Sequence, residues 1–454
     1  MNLTRLRKIY FLGIGGIGMS AIARYFLKQG VEIHGYDLAT TELTKKLEAE
    51  GMHIHYDIDV EKIPKGIELV IYTPAIPEDH AEKIWFIRND YELKKRAEVL
   101  GLLSRNMRTI AIAGTHGKTT TSCLTAHVLK YCGIDITAFL GGIMSGYDSN
   151  FLLGDSDILI AEADEYDRSF LHLYPECLAI MSMDPDHLDI YENVEVMYRN
   201  YEELTLNVRD GGVIILGSEV EEYFSDSWRA RLEKRNISVR KLGVDFKYDR
   251  IEIEQGCYRF DFVSGQSGIE SIKSGMAGIH NIMNCSVALE IGSLYELKQD
   301  CRKEAIETFR GIRRRFETVF KGDKVLIDDY AHHPEELKHA IETVNNLYRG
   351  KRILGIFQPH LFTRTKDFYE EFSRALEGLE EVWLLPVYPA REEPISGITS
   401  ELIWNLIRKK KKKMVSSMSM VSELEKRDDI EVVITLGASD LDKHHNKLIE
   451  VLKK

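Results

Sequence analysis

The sequence predicts an α/β protein of three consecutive domains whose sheets are mainly parallel. Apolar runs of strand length alternate with helix-patterned segments, two glycine-rich turns each join a strand to a helix, and polar residues recur where strands end. A chain of 454 residues suits two to four domains of about 150 residues each. We expect domains at residues 1–106, 107–319 and 320–454.

Composition excludes several classes of protein. Apolar residues make up 44% of the chain, which is enough for buried cores, and the net charge of −12 argues against a general nucleic-acid binder. The basic run Arg408–Lys413 is the exception, and we interpret it as a solvated helix end. No apolar run is long enough to span a membrane, so we expect no membrane insertion.

The six cysteines form no Cys-x-x-Cys pair, and their spacing indicates neither a metal site nor a disulfide framework. This usage favours a reducing, cytoplasmic location.

The first glycine-rich turn, Gly13–Gly18, has the spacing G-x-G-x-x-G. It follows a predicted strand, Lys8–Leu12, and opens a predicted helix, Met19–Gln29; a second strand, Val31–Tyr36, ends before Asp37. This order is typical of dinucleotide-binding folds, in which the turn approaches a pyrophosphate and the acid approaches a ribose. NAD, FAD or a UDP-sugar would each satisfy the pattern, and a glycine turn chosen for packing alone is the alternative.

The second turn, Ala113–Thr121, reads AGTHGKTTT and follows the apolar run Thr109–Ile112. Backbone N–H groups at a helix N-terminus, a lysine and a threonine hydroxyl are the parts of a phosphate cradle, with Lys118 on the β- and γ-phosphates and Thr119 on Mg²⁺. The first glycine of the longer phosphate-loop pattern is missing, so the turn is the compact Gly-x-x-Gly-Lys-Thr kind.

Two acidic clusters follow apolar runs in the same domain. Glu162–Asp167 comes after the strand predicted at residues 157–161, and Asp184–Asp189 comes after Ile180–Met183. Carboxylates at strand ends, downstream of a phosphate loop, suit a hard cation such as Mg²⁺. Helix caps or solvated turns are the alternative, because Asp favours both.

Two further polar groups precede the third domain. His280, Asn281 and Asn284 begin a predicted helix, where the amides suit a purine edge or simply cap the helix. Arg313–Arg315 can clamp a phosphate or carboxylate, or lie on the surface.

In the third domain, polar residues again follow the predicted strands, at the edge where open α/β sheets bind ligands. These groups are Asp328–Pro334 after residues 324–327, Gln358–His360 after 352–357, Tyr388–Arg391 after 381–386, and Gly437–Asp440 after 431–436.

The ordered series of motifs resembles the Mur ligase family over essentially the whole chain, and within it the alanine-adding branch. The resemblance is carried by Gly13–Ala21, Gly114–Thr119, Glu162–Glu165, Asp186–Asp189, His280, Asn281, Asn284, Arg314–Phe316, Asp328–Pro334, Gln358–His360, Arg364 and Thr365. Some relatives carry a carbamylated lysine soon after the Asp-His motif. No lysine lies between His187 and Leu232, so this device is absent here.

The resemblance implies three α/β domains: a Rossmann-like UDP-binding domain, a central P-loop ATPase domain with a mainly parallel sheet, and a C-terminal Rossmann-like domain that closes over both. It implies ATP-dependent ligation of L-alanine to UDP-N-acetylmuramic acid through an acyl phosphate, with ATP and Mg²⁺. We also expect a monomer or weak homodimer and, from the net charge of −12, no binding of nucleic acid.

The resemblance also implies a role for each matching residue, in five groups. Catalytic residues would be Lys118, His187, Arg315 and His333, and metal ligands would be Thr119, Glu162 and His187. ATP would be bound by Gly114, Thr115, His116, Gly117, Lys118, Thr119, Thr120, His280, Asn281, Asn284, Arg314 and Asp329. The UDP-sugar would contact Gly15, Gly16, Ile17, Gly18 and Asp37, and the amino acid would contact Tyr330, His360 and Arg364.

Three alternative functions stay open at this point. A recycling ligase of the same family would attach a whole peptide, but that branch has a different first loop. A nicotinamide dehydrogenase would explain Gly13–Asp37 and nothing after residue 110. A non-catalytic nucleotide switch or scaffold would explain the phosphate loop but not the amino-acid pocket.

Overall fold

The structure is a computed structural model that describes residues 3–185, 191–254, 257–390, 392–408 and 411–454. The chain divides into two compact units. The first comprises Met1–Lys247, Phe262–Gly268 and Asn284–Ala305, and the second comprises Tyr248–Asp261, Ile269–Met283 and Ile306–Lys454.

The N-terminal part of the first unit is a parallel five-stranded sheet in the order β3-β2-β1-β4-β5. Its strands are β1 (Lys8–Leu12), β2 (Glu32–Tyr36), β3 (His53–His55), β4 (Leu69–Tyr72) and β5 (Leu93–Lys95). Its helices are α1 (Ile17–Lys28), α2 (Glu42–Ala49), α3 (Ala81–Arg88) and α4 (Arg96–Asn106).

A seven-stranded sheet follows in the order β12-β11-β10-β6-β9-β7-β8, parallel except for the last pair. Its strands are β6 (Arg108–Ala113), β7 (Thr137–Met144), β8 (Ser149–Leu152), β9 (Ile158–Glu162), β10 (Cys177–Ile180), β11 (Val213–Leu216) and β12 (Ser238–Lys241). Its helices are α5 (Lys118–Tyr131), α6 (Val194–Leu206) and α7 (Trp228–Glu233). The central strands β6 and β10 are buried on both faces, and apart from exposed Arg108 at the start of β6 they consist of apolar and small residues.

Three hydrogen-bonded strands and two helices follow along the chain. They are β13 (Phe246–Glu254), β14 (Cys257–Ser264), β15 (Ser267–Lys273), α8 (Ile279–Leu294) and α9 (Gln299–Thr308).

A disulfide joins Cys132, at the end of α5, to Cys301 in α9, with their Cα atoms 5.7 Å apart. The expectation that the cysteines form no disulfide is therefore wrong. Spacing gave no sign of the bond because 169 positions separate the two residues.

The second unit contains a six-stranded sheet in the order β16-β17-β21-β18-β19-β20, parallel except for β16. Its strands are β16 (Glu317–Lys321), β17 (Val325–Asp329), β18 (Ile353–Phe357), β19 (Glu381–Leu384), β20 (Lys412–Met414) and β21 (Val432–Leu436). Its helices are α10 (Pro334–Leu347), α11 (Phe362–Leu376), α12 (Ser400–Leu406), α13 (Ser419–Leu424) and α14 (His445–Leu452). Apolar clusters cover both faces of this sheet.

The predicted α/β class with mainly parallel sheets is confirmed, and one local interpretation is wrong. The described part of the basic run Arg408–Lys413 is not a helix end, because α12 ends at Leu406 and Lys412–Met414 forms the edge strand β20. Lys409 and Lys410 lie outside the described residues. Lys411 and Lys413 pair with Glu380 and Glu423, which explains why a cationic segment is stable at a sheet edge. No helix in the described part of the chain is long and apolar enough to cross a membrane.

Candidate active site

The phosphate loop connects β6 to α5 and needs glycine at two positions. Gly114 and Gly117 have φ angles of +125° and +82°. A Cβ atom at Gly114 would lie 2.8 Å from the Ser182 nitrogen, and one at Gly117 would lie 2.7 Å from the Asn284 Oδ1. Both positions combine a positive φ with a close neighbour, so no other residue fits this turn without strain.

The segment after β10 holds the loop from the side. The Thr115 N–H donates to the Ser182 carbonyl at 3.1 Å, and the His116 N–H donates to the Ser182 hydroxyl at 3.0 Å. The Thr115 hydroxyl donates to the Asp184 carbonyl at 2.7 Å. These contacts fix the loop's shape. Nothing in the sequence marked Ser182 for this position.

Lys118 lies in a ring of acceptors. Its ammonium donates to the Gly114 carbonyl at 2.7 Å and to Oε1 of Glu165 at 2.9 Å. Burial alone would lower the pKa of Lys118, but the carboxylates of Glu165, Asp164 and Glu162 raise it above the ordinary value. Lys118 is therefore cationic at neutral pH, as a phosphate ligand must be. Sequence reasoning placed Glu165 in an acidic cluster but did not identify it as the partner of this lysine.

Thr119 and Glu162 bring two hard oxygen donors together beside the loop. The Thr119 hydroxyl donates to Oε1 of Glu162 at 2.9 Å. The other carboxylate oxygen accepts the Gly141 N–H at 2.9 Å, and a Cβ at Gly141 would collide with this carboxylate. The arrangement suits Mg²⁺, which prefers oxygen ligands. The third predicted ligand, His187, lies outside the described residues.

The other predicted nucleotide contacts lie in α5 and at the start of α8. Thr120 is buried in the first turn of α5. Oδ1 of Asn284 accepts the Thr121 hydroxyl at 3.1 Å, which connects α8 to the phosphate-loop helix. Asn281 donates to the Ala277 carbonyl at 2.6 Å. His280 packs on His339, with ring centroids 5.4 Å apart.

The Gly13–Gly18 loop joins β1 to α1 and is braced by the predicted acid. The Gly15 N–H donates to Oδ2 of Asp37 at 2.7 Å, and Gly16 lies at the N-cap position of α1. Ile17 begins the helix and is 39% exposed. A pyrophosphate at this helix N-terminus would meet backbone N–H groups.

Arg96 lies beside this loop, and sequence reasoning missed it. It begins α4, and a Cβ at Gly18 would lie 2.7 Å from its Nη1 atom. Its Nη2 atom is also 3.7 Å from Asp164. A guanidinium at the glycine loop adds a charge suited to a phosphate.

In the second unit, the two predicted arginines differ in their surroundings. Arg314 pairs with buried Asp328 at 3.1 Å and donates to the Ser439 and Gly437 carbonyls at 2.7 and 2.8 Å. These contacts connect the segment before β16 to the ends of β17 and β21. Arg315 lies over the Tyr330 ring, 5.5 Å from its centroid.

Asp329 ends β17 and carries a partly buried carboxyl group. It accepts the Phe316 N–H at 2.8 Å and the Ala331 N–H at 2.7 Å. Burial raises the pKa of Asp329 to about 7, although the nearby Arg315 opposes the shift. The group therefore titrates near neutral pH, a property that is common in active sites.

Three rings and an arginine lie together at the ends of β17, β18 and β19. His332 and His360 have ring centroids 6.1 Å apart, and Tyr388 stacks on His360 with a 6.0 Å separation. Burial lowers the pKa of His332 to about 4, and Arg364 contributes in the same direction. Arg364 is in the first turn of α11. The predicted residues Tyr330, His360 and Arg364 thus share one region, to which the structure adds His332 and Tyr388.

His333 is a further predicted catalytic residue. It caps α10 directly before Pro334, is 8% exposed, and packs against Phe368 with centroids 5.1 Å apart.

Comparison with known proteins identifies the family of this chain. Three family models match successive parts of the chain: the Mur ligase family catalytic domain at residues 8–108, the Mur ligase middle domain at 112–292, and the Mur ligase glutamate ligase domain at 314–439. The chain belongs to the Mur ligase family.

The similar members of the Mur ligase family include alanine ligases. The chain is 42% identical to UDP-N-acetylmuramate–L-alanine ligase of Cytophaga hutchinsonii, covering 98% of this chain and 96% of the relative. It is 43% identical to the protein of the same name from Porphyromonas gingivalis, covering 96% and 97%. A solved UDP-N-acetylmuramate–alanine ligase from Thermotoga maritima superposes with a TM-score of 0.81 at 26% identity, covering 98% and 99%.

The low pKa of His332 predicts how this Mur ligase responds to acid. Its folded pKa lies below the ordinary value near 6.5, so its stabilising contribution is complete above that value and is lost as the pH falls toward 4. We expect the free energy of unfolding to decrease by about 2 kcal/mol from this group between about pH 7 and pH 5. His332→Gln should remove this part of the pH dependence in urea titrations.

The exposed imidazole of His339, in the same unit, provides the control. His339→Gln should keep the wild-type pH dependence. If His332→Gln keeps it as well, His332 is not the group responsible.

Proposed function

We propose that this protein joins L-alanine to the lactyl carboxylate of UDP-N-acetylmuramic acid, with cleavage of ATP to ADP and phosphate, in the synthesis of a peptidoglycan precursor. The observation that carries the proposal is full-length similarity above 40% to alanine ligases. The phosphate loop, with cationic Lys118 and the Thr119–Glu162 pair, supports the ATP-dependent step.

ATP and Mg²⁺ fit the residues of the first unit. Lys118 would exchange its carbonyl and Glu165 partners for the transferring phosphoryl group, because its position at the start of α5 directs it to phosphates bound by the loop. Gly114, Thr115, His116, Gly117 and Thr120 would complete the loop's contacts. Thr119 and Glu162, with His187, would hold Mg²⁺, which neutralises phosphate charge when it is bound.

Further residues would bind the adenine and contact ATP from the third domain. His280, Asn281 and Asn284 would lie at the adenine, since amide groups match the donors and acceptors of a purine edge. Arg314 and Asp329 would contribute from the third domain. The buried pair with Asp328 gives Arg314 a fixed orientation for such a contact.

The first chemical step activates a carboxylate. One oxygen of the lactyl carboxylate attacks the γ-phosphorus of ATP, the bond from that phosphorus to the bridging oxygen breaks, and ADP leaves. The product is an acyl phosphate. A free carboxylate is a poor acylating group at neutral pH, and phosphorylation gives it a good leaving group. Lys118 lowers the barrier by stabilising charge that develops on the transferring group.

The second step forms the amide. The amino nitrogen of L-alanine attacks the acyl carbon, and the tetrahedral intermediate loses a proton from nitrogen to solvent. As the carbonyl re-forms, the bond from carbon to the phosphate oxygen breaks and inorganic phosphate leaves. We propose that Arg364 pairs with the alanine carboxylate, while Tyr330 and His360 shape the pocket. Arg315 and His333 would act on the anionic intermediate. Positioning of the amine accounts for much of the acceleration, because a bimolecular reaction becomes effectively intramolecular.

The UDP-sugar would bind at the N-terminal glycine loop. Gly15, Gly16, Ile17 and Gly18 would surround the pyrophosphate at the N-terminus of α1, and Asp37 would lie near the ribose or uracil.

Arg364→Ala tests the amino-acid pocket. We expect KM for L-alanine to rise about 100-fold with a smaller change in kcat, because a bond made equally in ground and transition states contributes to binding alone. Steady-state kinetics at saturating ATP and UDP-N-acetylmuramate measure both constants. Arg374→Ala, on the exposed side of the same helix, is the control. An unchanged KM for alanine would remove Arg364 from the pocket.

Release of ADP tests the function itself. With ATP, Mg²⁺ and UDP-N-acetylmuramate, sustained release should require L-alanine. Release with the stem tripeptide in place of alanine would instead identify a recycling ligase. Absence of release with either would point to a switch or scaffold. NADH should not bind.

We propose that the enzyme is cytoplasmic, where ATP and nucleotide sugars are available, and that it is a monomer or weak homodimer. We also propose domain boundaries at residues 106 and 319. Limited proteolysis would test the boundaries, and sedimentation at several concentrations would test the oligomeric state.

A further inference from the structure

A cluster of metal-ligating side chains lies on the N-terminal sheet, in a region that the proposed reaction does not use. Glu32 and His34 are two positions apart on β2, so they project to the same face. His53 pairs directly with His34 in the parallel ladder between β2 and β3, which brings its side chain to that face too. The strand register itself therefore assembles two imidazoles and one carboxylate.

The three side chains are already close together. The His34 Nε2 atom is 2.6 Å from Oε1 of Glu32, and the two imidazole rings stack with centroids 4.7 Å apart and an interplanar angle of 22°. One potential ligand atom from each residue lies within 4.8 Å of the others. A search of the described residues for three or more histidine, cysteine or acidic side chains this close together finds Glu32, His34 and His53.

We propose that Glu32, His34 and His53 form a binding site for a divalent transition-metal ion of the Zn²⁺ class, with solvent completing the coordination. Two imidazoles and a carboxylate are a frequent ligand set for zinc, and a site with three protein ligands leaves a fourth position for water. Imidazole also favours Zn²⁺ over Mg²⁺ and Ca²⁺, which prefer oxygen.

The geometry requires only small movements of side chains. Ligand atoms around a tetrahedral zinc ion are about 3.3 Å apart, given metal–ligand bonds of about 2.0–2.1 Å. The Glu32–His34 contact must therefore open slightly and His53 must move closer. Glu32 and His53 are exposed and can adjust.

Lys8 opposes metal binding, so its substitution tests the site. Its ammonium lies 3.1 Å from the same Glu32 oxygen, because Lys8 and Glu32 are paired in the ladder between β1 and β2. A bound cation must displace this ammonium from the carboxylate. Replacement of Lys8 by a neutral residue should therefore increase metal affinity, whereas an unrelated surface histidine site would not respond.

This site is distinct from the candidate magnesium site in residues and chemistry. The magnesium site consists of oxygen donors beside the phosphate loop. The histidine cluster lies toward the amino ends of β2 and β3, whereas the glycine loop and Asp37 lie at the carboxyl end of the N-terminal sheet. Zinc at the cluster would cross-link edge strand β3 to β2 and should stabilise the domain.

The test is calorimetric titration of the full-length, chelator-treated protein with Zn²⁺, together with Co²⁺ absorption spectra. Wild type should show one site that His53→Ala and Glu32→Gln weaken at least 10-fold, whereas His172→Ala, which changes an exposed histidine elsewhere in the first unit, leaves it unchanged. Lys8→Gln should bind more tightly than wild type. Addition of Zn²⁺ should raise the Tm of wild type more than that of His53→Ala.

Two results would overturn the proposal. One is the absence of a stoichiometric site in wild type. The other is equal binding by wild type, His53→Ala and Glu32→Gln, which would assign the ion to another part of the chain. All the substituted side chains lie at the surface or its edge, and circular dichroism confirms folding before titration.

Discussion

Lys118→Ala should reduce kcat by about 10²–10³-fold or more while leaving KM for L-alanine nearly unchanged. Lys118 is a partly buried cation at the start of α5, held by Glu165 and by the carbonyls of its own loop. An ammonium that stabilises charge on a transferring phosphoryl group acts more strongly in the transition state than in the ground state. Its loss therefore lowers kcat and kcat/KM together. Initial-rate measurement of ADP release gives both constants.

Lys130→Ala, near the other end of the same helix, is the matched control and should keep wild-type kinetics. Removal of Lys118 also leaves the Glu165 carboxyl buried without its cation, so the Tm of the variant must be measured. Burial already raises the pKa of Glu165, and uptake of a proton would limit the loss of stability. Wild-type turnover in folded Lys118→Ala would contradict the assignment of the phosphate loop.

Glu162→Gln should have the second large effect. The carboxylate accepts hydrogen bonds from the Thr119 hydroxyl and the Gly141 N–H, and the amide keeps its size but loses its charge. Mg²⁺ prefers a charged oxygen ligand, so the Mg²⁺ concentration for half-maximal activity should rise at least 10-fold. We expect kcat at saturating Mg²⁺ to fall about 10²-fold. Titration of activity with Mg²⁺ at fixed ATP separates the two effects.

Glu233→Gln, on the exposed end of α7, controls for the loss of a negative charge in the same unit. It should leave the Mg²⁺ titration unchanged. If Glu162→Gln also gives the wild-type titration, Glu162 does not hold the metal, and the Thr119–Glu162 contact only supports the loop.

The strands were predictable because they are short apolar runs with polar residues at their ends. β1 matches its predicted bounds, and β18 begins one residue later than expected. The run Ile180–Met183 behaves differently, because β10 ends at Ile180. The Met181 N–H then donates to the Ala113 carbonyl, and the Ser182 carbonyl accepts the Thr115 N–H of the phosphate loop. Hydropathy does not distinguish a strand from such a segment, because both are buried.

The candidate site was predictable where function depends on local sequence, as in the turns that hold Gly117 and Lys118. It was not predictable where partners meet through tertiary structure. The Lys118–Glu165 ion pair, the position of Arg96 against Gly18, and the disulfide from Cys132 to Cys301 join residues that are far apart in the chain. Register of neighbouring strands likewise creates the His34–His53 pair, which no spacing rule reveals.

The formation of an acyl phosphate is tested most directly by following the oxygen atoms of the sugar's lactyl carboxylate. UDP-N-acetylmuramate labelled with ¹⁸O in its lactyl carboxylate would be incubated with ATP, Mg²⁺ and L-alanine, and the products would be analysed by mass spectrometry. An acyl phosphate requires one labelled oxygen to pass to inorganic phosphate for each amide formed. Amide formation with unlabelled phosphate, or ATP cleavage without amide, would contradict the account.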